Sequence, residues 1–539
     1  MRLNAQTARC SVALLVTLPY MLASQTTPDP SRWFRTSDAC LACHNSLTTA
    51  SGADVSIGAD WRASMMANAA RDPYWQAAVR REIIDHPTAR KAIEDTCSTC
   101  HMPMTRFASR QSGSLGGILA YFQSRFSAPN GRFAVDGVSC TTCHQIEADK
   151  LGTPASFTGG FVIDTTRRWP HRRIYGPFDV DTGRITIMRS ATSFRPTQAP
   201  QISSSALCGT CHTLFTEALN SRGDVVGQLP EQMPFREWEH SSYRNVRSCQ
   251  SCHMPVVGDS TAITSVMGQP RGGFSRHVFR GGNFFVIRML NRYRDELNVE
   301  ALPQELEAEA SRTIEHLQTL TARVTLDTLA LVGRRVVADV LVENLAGHKL
   351  PTAYPSRRAW LDVEVHDATG RTVFQSGALR RDGSIEGNDN DISPARFEPH
   401  YELIDRADQV QIYEAIMVDP ADGVTTGLLS AVRFEKDNRL LPQGFDKNTA
   451  PAEIAVRGAA RTDTSFVAAR DRVRYSMDIG DAPRPLTVDV RLWYQPIGFR
   501  WAQNLVPYDA FETRRFVSYF NAMAESSALV LASATATLR

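Results

Sequence analysis

Ser248-Cys249-Gln250-Ser251-Cys252-His253-Met254-Pro255 is the stretch on which the reading of this chain turns. Two cysteines three positions apart are followed directly by a histidine. The same C-x-x-C-H pattern stands at Cys40-Leu-Ala-Cys43-His44, Cys97-Ser-Thr-Cys100-His101, Cys140-Thr-Thr-Cys143-His144 and Cys208-Gly-Thr-Cys211-His212. The five copies use ten of the eleven cysteines. The spacing has a chemical reason. Two thiols on one short turn of helix can add to the two vinyl groups along one edge of a haem, and the adjacent imidazole then reaches the iron from the proximal side. A zinc site needs its pairs combined in fours, and five pairs leave one over. A disulfide framework explains neither the fixed spacing nor the histidines. A thioredoxin-type centre uses C-x-x-C once, inside an α/β pattern that is missing here. The motifs therefore predict five covalent haem c groups on Cys40, Cys43, Cys97, Cys100, Cys140, Cys143, Cys208, Cys211, Cys249 and Cys252. His44, His101, His144, His212 and His253 are the expected proximal iron ligands.

The motifs are unevenly spaced, which argues against a stack of identical short repeats. One continuous stretch, 25–282, is expected to hold all five, with short helices at the motifs and long irregular connections. With so little protein per cofactor, the haems must supply much of its core.

The second axial position of each iron sets its potential and reactivity. Eight histidines stand outside the motifs, more than five irons can use. His277 is the best placed, just past the last motif in FSRHVFRGGN, where glycines let backbone approach a flat ring. His171 (WPHRRIYGPF), His86 near the second motif and His240 ahead of the fifth are further candidates. His348 joins them from the second half, in the rigid turn Gly347-His348-Lys-Leu-Pro351-Thr352, and His400 is a weaker one of the same kind. Met66 and Met188 are candidate sulfur ligands, although methionine at helical spacing is more often core. His316 and His366 read as solvent-facing.

From Asn283 the pattern changes. Residues 283–321 read as a helical connector, with apolar side chains at three- and four-residue spacing. Over 322–508 the period drops to two in RVTLDTLAL, RRVVADVLVENL, AWLDVEVHD and LTVDVRLWY, which suggests an antiparallel β-sandwich. Residues 509–539 read as a helix and a frayed, small-residue tail. The fold class expected is α+β and multidomain, a mostly helical or irregular motif-bearing part followed by a β-sandwich-like one.

At the other end, Arg2 and Arg9 precede the apolar run Ser11–Ala23, the pattern of a signal peptide over 1–24. Cys10 would leave with it. Export to the periplasm or cell surface is expected, with no transmembrane segment in the mature chain. The 59 Lys+Arg nearly balance 57 Asp+Glu, which gives a nucleic-acid partner no support.

The five motifs, two of them continuing as C-H-M-P (His101-Met102-Pro103 and His253-Met254-Pro255), resemble multihaem cytochromes c of the cytochrome c-552/c-554-like group. Trp61-x-x-Ser64-x-Met66-Ala67 is similar to that group's W-x-x-S-x-H-A element, with methionine in place of histidine. The GHKLPT segment and the β-rich half resemble an extension found on many exported multihaem proteins. The resemblance implies electron transfer, with other redox proteins as donor and acceptor. The alternative is an oxidoreductase acting on a small nitrogen or sulfur compound at a haem with an open distal site. Ammonia-forming nitrite reductases also carry five haems, but they typically attach the catalytic one through C-x-x-C-K, and all five motifs here end in histidine.

Overall fold

The computed structural model describes residues 29–123, 127 and 130–539; the expected signal peptide, with Cys10, lies outside them. The chain is mixed α+β with several parts. The first cysteine of each motif sits on a helix of its own: Asp38–Leu41, Arg90–His101, Cys140–Cys143, Ser205–Gly209 and Cys249–His253. Four of these begin at a serine, a residue whose side chain competes for the free amides of a helix start. Ser204 caps Ala206 and Ser248 caps Ser251, whereas Ser37 turns away to bond Asp136, 2.6 Å from its carboxylate. Between the motif helices run irregular segments, a parallel pair of strands (Arg172–Gly176 with Phe194–Gln198) and a hairpin (Leu214–Leu219 with Val225–Gln232).

The connector contains two helices. Phe284–Arg292 is short but almost wholly internal, with Phe284, Phe285, Val286, Ile287, Met289 and Leu290 all buried. Pro303–Leu320 is closed at its start by Glu305, whose carboxylate returns to the Leu302 amide at 2.9 Å, the glutamate half of a capping box.

The β-rich half has two main sheets. In one, strand Arg335–Asn344 lies between Ala322–Val332 and Arg470–Asp478. In the other, Arg358–His366 lies between Thr372–Ser376 and Leu486–Gln495. Alternate residues of the two central strands, Val336, Ala338, Val340 and Val342 against Ala359, Leu361, Val363 and Val365, share one apolar core. That is the period-two pattern expected of a two-layer packing. The tail differs from expectation. Leu529–Leu538 is not frayed but pairs antiparallel with Leu486–Gln495 along its whole length, because its small residues alternate and offer a full row of backbone bonds.

The same core runs into the motif-bearing half through Ala63, Tyr74, Ala77 and Met233. Ion pairs Arg80–Glu512 and Arg62–Glu305 add polar ties between the halves. The buried Arg71 bonds the Asn298 carbonyl at 2.8 Å, the Val135 carbonyl at 2.7 Å and Glu300. Among the described residues no helix is long and apolar enough to cross a membrane.

Candidate functional site

The five motif helices do not each make a private pocket. All ten motif cysteines and all five motif histidines line one continuous cavity of 1830 Å³, well above the roughly 300–1,000 Å³ that holds a single small ligand. Its walls are mainly apolar, and the ten thiols are unpaired as disulfides. Thiols of different motifs stand close to one another: Cys40 to Cys140, Cys100 to Cys211, and Cys208 to Cys249. The fourth motif thus touches both the second and the fifth, and the first touches the third.

The imidazoles are held for one purpose. Nδ1 of His44 lies 2.6 Å from the Ile263 carbonyl, that of His101 2.8 Å from Ala69, that of His144 2.6 Å from Tyr175, and that of His253 2.6 Å from Arg280. A carbonyl accepts only from N–H, so the proton sits on Nδ1 and Nε2 keeps its lone pair. Burial pushes all five motif histidines down, His101 and His253 to about 4. They are neutral at neutral pH, the form that can ligate a metal. Trp75 lies flat against the face of His101, ring centroids 4.1 Å apart, and fixes its plane.

Three of the eight other histidines line the cavity: His277, His316 and His348. His277 faces His144, centroids 6.2 Å apart and planes 17° from parallel. His253 faces two rings, His348 at 6.2 Å and 15°, and His316 at 6.1 Å and 56°. With imidazole–metal bonds of about 2 Å, two rings facing one metal place their centroids about 6 Å apart, so each spacing suits one iron between the pair.

The remaining candidates lie elsewhere. His86 ends helix Pro73–Asp85 with both ring nitrogens engaged, 3.3 Å from the Asn220 carbonyl and 3.3 Å from Ser430 Oγ. His171 is exposed, and His240 bonds its own helix through the Arg236 carbonyl at 2.8 Å; neither lines the cavity. His366 is held by Glu364 and Asp489 at the end of the central strand of the second sheet. His400 is buried in the β-rich half with Nε2 3.0 Å from Asp463, and its Nδ1 accepts from Gln411 at 2.8 Å and Asn438 at 3.2 Å. The second shell of amide donors fixes the proton on Nε2, the wrong tautomer for ligating a metal there.

Met66 and Met188 both line the cavity. Met66 stands in a turn that brackets the third motif: its carbonyl accepts from Val138, whose own carbonyl takes the Trp61 indole N–H at 3.1 Å. Gly137, at φ +58°, lets the chains come this close, since a Cβ there would meet the Met66 carbonyl at 2.6 Å. Met188 lies on helix Thr182–Thr192, which was not expected in so polar a stretch. Asp181 caps it through the Arg184 amide. None of its residues is buried, yet Ile187, Met188 and Ala191 face the cavity beside the helix that bears Cys40. These side chains are only partly covered by protein, and an apolar group in the cavity would complete their burial. The donor set, the cavity and this partly covered face all suit the group that the motifs imply.

His316 was read as solvated and is not. It shares one face of helix Pro303–Leu320 with Glu309, Thr313, Leu317 and Leu320, all on the cavity wall. The signal was the recurrence of 309, 313, 316, 317 and 320 on one helical face.

A buried carboxylate completes the wall. Glu231 is pushed up to about 7 by burial, against the pull of bonds from Thr216 and Gln232. An unfolded glutamate titrates near about 4.3, so between the two values the folded chain holds a proton that the unfolded chain has released. Its contribution to stability therefore falls as pH rises through that window. Glu231→Gln is expected to flatten part of the loss of melting temperature between about pH 5 and 7; parallel curves for the two proteins would refute this.

No family profile matches the chain, and no curated protein matches it in sequence. Among solved structures, a penta-haem cytochrome c552 from Thermochromatium tepidum is similar in fold, with a TM-score of 0.55 and 16% identity. The likeness covers 94% of this chain and 100% of that one, so it runs through both halves.

Proposed function

We propose that this chain is an exported multihaem cytochrome c, that it carries five covalent haem c groups in the shared cavity, and that it passes electrons between redox partners in the periplasm or at the cell surface. The observation that carries the reading is the convergence of all five C-x-x-C-H motifs on one apolar cavity with their imidazoles held neutral on its walls. The likeness in fold to a penta-haem cytochrome c552 supports it. Bound haem supplies a one-electron iron couple. The chain's own residues do the rest. The ten cysteines anchor the porphyrin edges, the five motif histidines hold the irons, and Nδ1–carbonyl bonds keep four of the rings, His44, His101, His144 and His253, in the ligating tautomer. His277 and His348 are the leading distal ligands, with Met66 and Met188 as sulfur donors. The thiol contacts between motifs suit a relay, because they bring the attachment edges of neighbouring groups together.

A second reading has one observation in its favour. Three non-motif histidines line the cavity, so among the described residues at least two of the five irons lack a second imidazole. Each of these takes methionine or stays open, and an open iron is where an oxidoreductase acting on a small nitrogen or sulfur compound would work. Both readings are tested on protein made with a c-type haem attachment system. Intact mass is expected to show five haems, and EPR to show low-spin ferric irons that ignore cyanide and nitrite. Fewer than five haems overturns the count. A high-spin signal that shifts with nitrite overturns the pure relay and favours the enzyme.

A further inference from the structure

We infer that the arginine-rich outer face of the strand pair Arg172–Gly176 and Phe194–Gln198 is a docking surface for an acidic redox protein, which exchanges electrons with the group held by the third motif. This rests on the multihaem reading above and gives one of its partners a place and a charge.

The run Arg167-Arg168-Trp169-Pro170-His171-Arg172-Arg173 leads into the first of these strands. In a strand, successive side chains point to opposite faces. Ile174 and Pro196 line the cavity, while Arg173 and Arg195, which precede them and stand in register across the pair, are exposed. The cavity wall is therefore a single sheet layer thick here, with guanidiniums outside. Arg168 and His171 extend the exposed face.

Short bonds fasten this face to the third motif. The Tyr175 amide donates to the His144 carbonyl at 2.6 Å, and the Tyr175 carbonyl holds His144 Nδ1 at 2.6 Å. Arg172 donates through Nε and Nη2 to Gln145 Oε1, at 3.1 and 2.7 Å, directly after that histidine. Between the two motif cysteines, the Thr141 hydroxyl donates to the Arg35 carbonyl at 2.7 Å. The Arg35 guanidinium lies 3.9 Å from the centre of the Trp169 ring, which Arg172 approaches at 5.7 Å. Electron tunnelling falls off steeply with distance, so a partner must land where a cofactor lies close behind the surface, as it would here.

The charge says what kind of partner. The chain as a whole is nearly neutral, at +2, so this concentration of one sign is local. Arg167 pairs with Asp164 at 2.9 Å, and Glu147 takes the Tyr175 hydroxyl at 2.6 Å. Arg168, Arg173 and Arg195 have no ion-pair partner among the described residues. Such a face steers an acidic protein into contact and repels a basic one. A lipid surface fits less well, because peripheral binding to a membrane draws on apolar side chains as well as charge. None of the large apolar side chains exposed among the described residues lies in 164–176 or 194–198.

The test uses the full holoprotein and the triple variant Arg168→Glu, Arg173→Glu, Arg195→Glu. Arg334→Glu, Arg457→Glu, Arg461→Glu, at exposed arginines of the β-rich half, is a control of equal charge. Haem content by intact mass is read first. A wild type without haem fails the multihaem reading and this proposal with it, whereas the outcomes below bear on docking alone. The probes are a reduced flavodoxin of net negative charge and photoreduced lumiflavin, which is small and uncharged. The triple variant is expected to lose about tenfold or more in the rate constant for reduction by flavodoxin at low ionic strength. It should lose the salt dependence of that rate and keep the wild-type rate with lumiflavin. Binding of oxidised flavodoxin, followed by broadening of its NMR lines, should weaken in step. The corresponding triple glutamine variant, which removes charge without reversing it, should fall between the two. Equal flavodoxin rates in wild type and triple glutamate variant overturn the proposal, and so does an equal fall in the control. Binding of the wild type to phosphatidylglycerol vesicles that the variant loses, with flavodoxin rates unchanged, assigns the face to a membrane and overturns it as well.

Discussion

Chain produced without haem attachment is expected to lose the ordered structure of 29–282 while the sheet-rich part keeps its own. The reason is the size of what the cavity would otherwise leave empty. Residual cavities cost about 24 cal/mol per Å³, which for 1830 Å³ comes to an upper bound on the order of 40 kcal/mol. A whole domain holds only about 5–15 kcal/mol in reserve. Water entering the space lowers the figure but strands the apolar walls. The helix Thr182–Thr192, with no buried residue, would keep only its contacts with strand Phe194–Gln198 and helix Asp38–Leu41. The two sheets, in contrast, bury Val336 to Val342 against Ala359 to Val365 without any help from the cavity. Limited proteolysis read by mass spectrometry should cut the haem-free chain throughout 29–282 and leave a resistant fragment from about Ala322 to the C-terminus. Uniform resistance would mean that the cavity walls stand by themselves, and uniform digestion that the two halves fold only together.

What could be read beforehand divides along the range of the interactions involved. Attachment chemistry is local: two thiols and an imidazole must stand five residues in a row, so Cys249 to His253 is legible wherever it occurs. Strands are nearly as local, and Arg335–Asn344 shows its buried face as a period of two. Distal ligands come from anywhere in the chain. His277, which lines the cavity opposite His144, can be singled out because it follows a motif closely and precedes Gly281 and Gly282. The place of His316 on the cavity wall is not legible, because Glu315 and Arg312 flank it and a helix among charges reads as solvated; its neighbour is a cavity, which has no letters. Helix Thr182–Thr192 was missed for the same reason. Its Asp181 cap could be seen, but its apolar face is short and turns partly to the cavity. The tail failed differently, since Ala532, Ala534 and Ala536 are poor strand formers alone and form a strand only because Leu486–Gln495 offers an open edge.

The turn that carries His348 leads to a second strong effect, because it is clamped by charges sealed from water. Lys349 is fully buried, its Nζ 2.7 Å from Asp437, and Arg439 bonds the same carboxylate at 2.7 Å while reaching Glu237 at 3.1 Å. Glu237 in turn accepts from the Lys349 amide at 3.1 Å and from the Thr352 hydroxyl. Two cations and two anions thus balance. Glu237 belongs to helix Pro234–Glu239 of the motif-bearing half, and Asp437 to the β-rich half. Burial alone would raise Asp437, but Arg439 and Lys349 hold it well below the usual carboxylate range. Asp437→Ala leaves two buried cations against one anion, and stripping one partner from such a group costs about 3–5 kcal/mol. The variant is expected to melt well below the wild type and, because Lys349 adjoins His348, to lose the low-spin iron signal that His348 supports. Removing the charges in pairs separates the two effects. Lys349→Met with Asp437→Leu exchanges one ion pair for apolar volume, leaves Arg439 with Glu237, and should recover most of the stability. If the double variant melts as low as the single one, the clamp works through shape and not through charge. If Asp437→Ala melts with the wild type, water reaches the cluster and the turn is held by the Leu350–Leu440 backbone bridge alone.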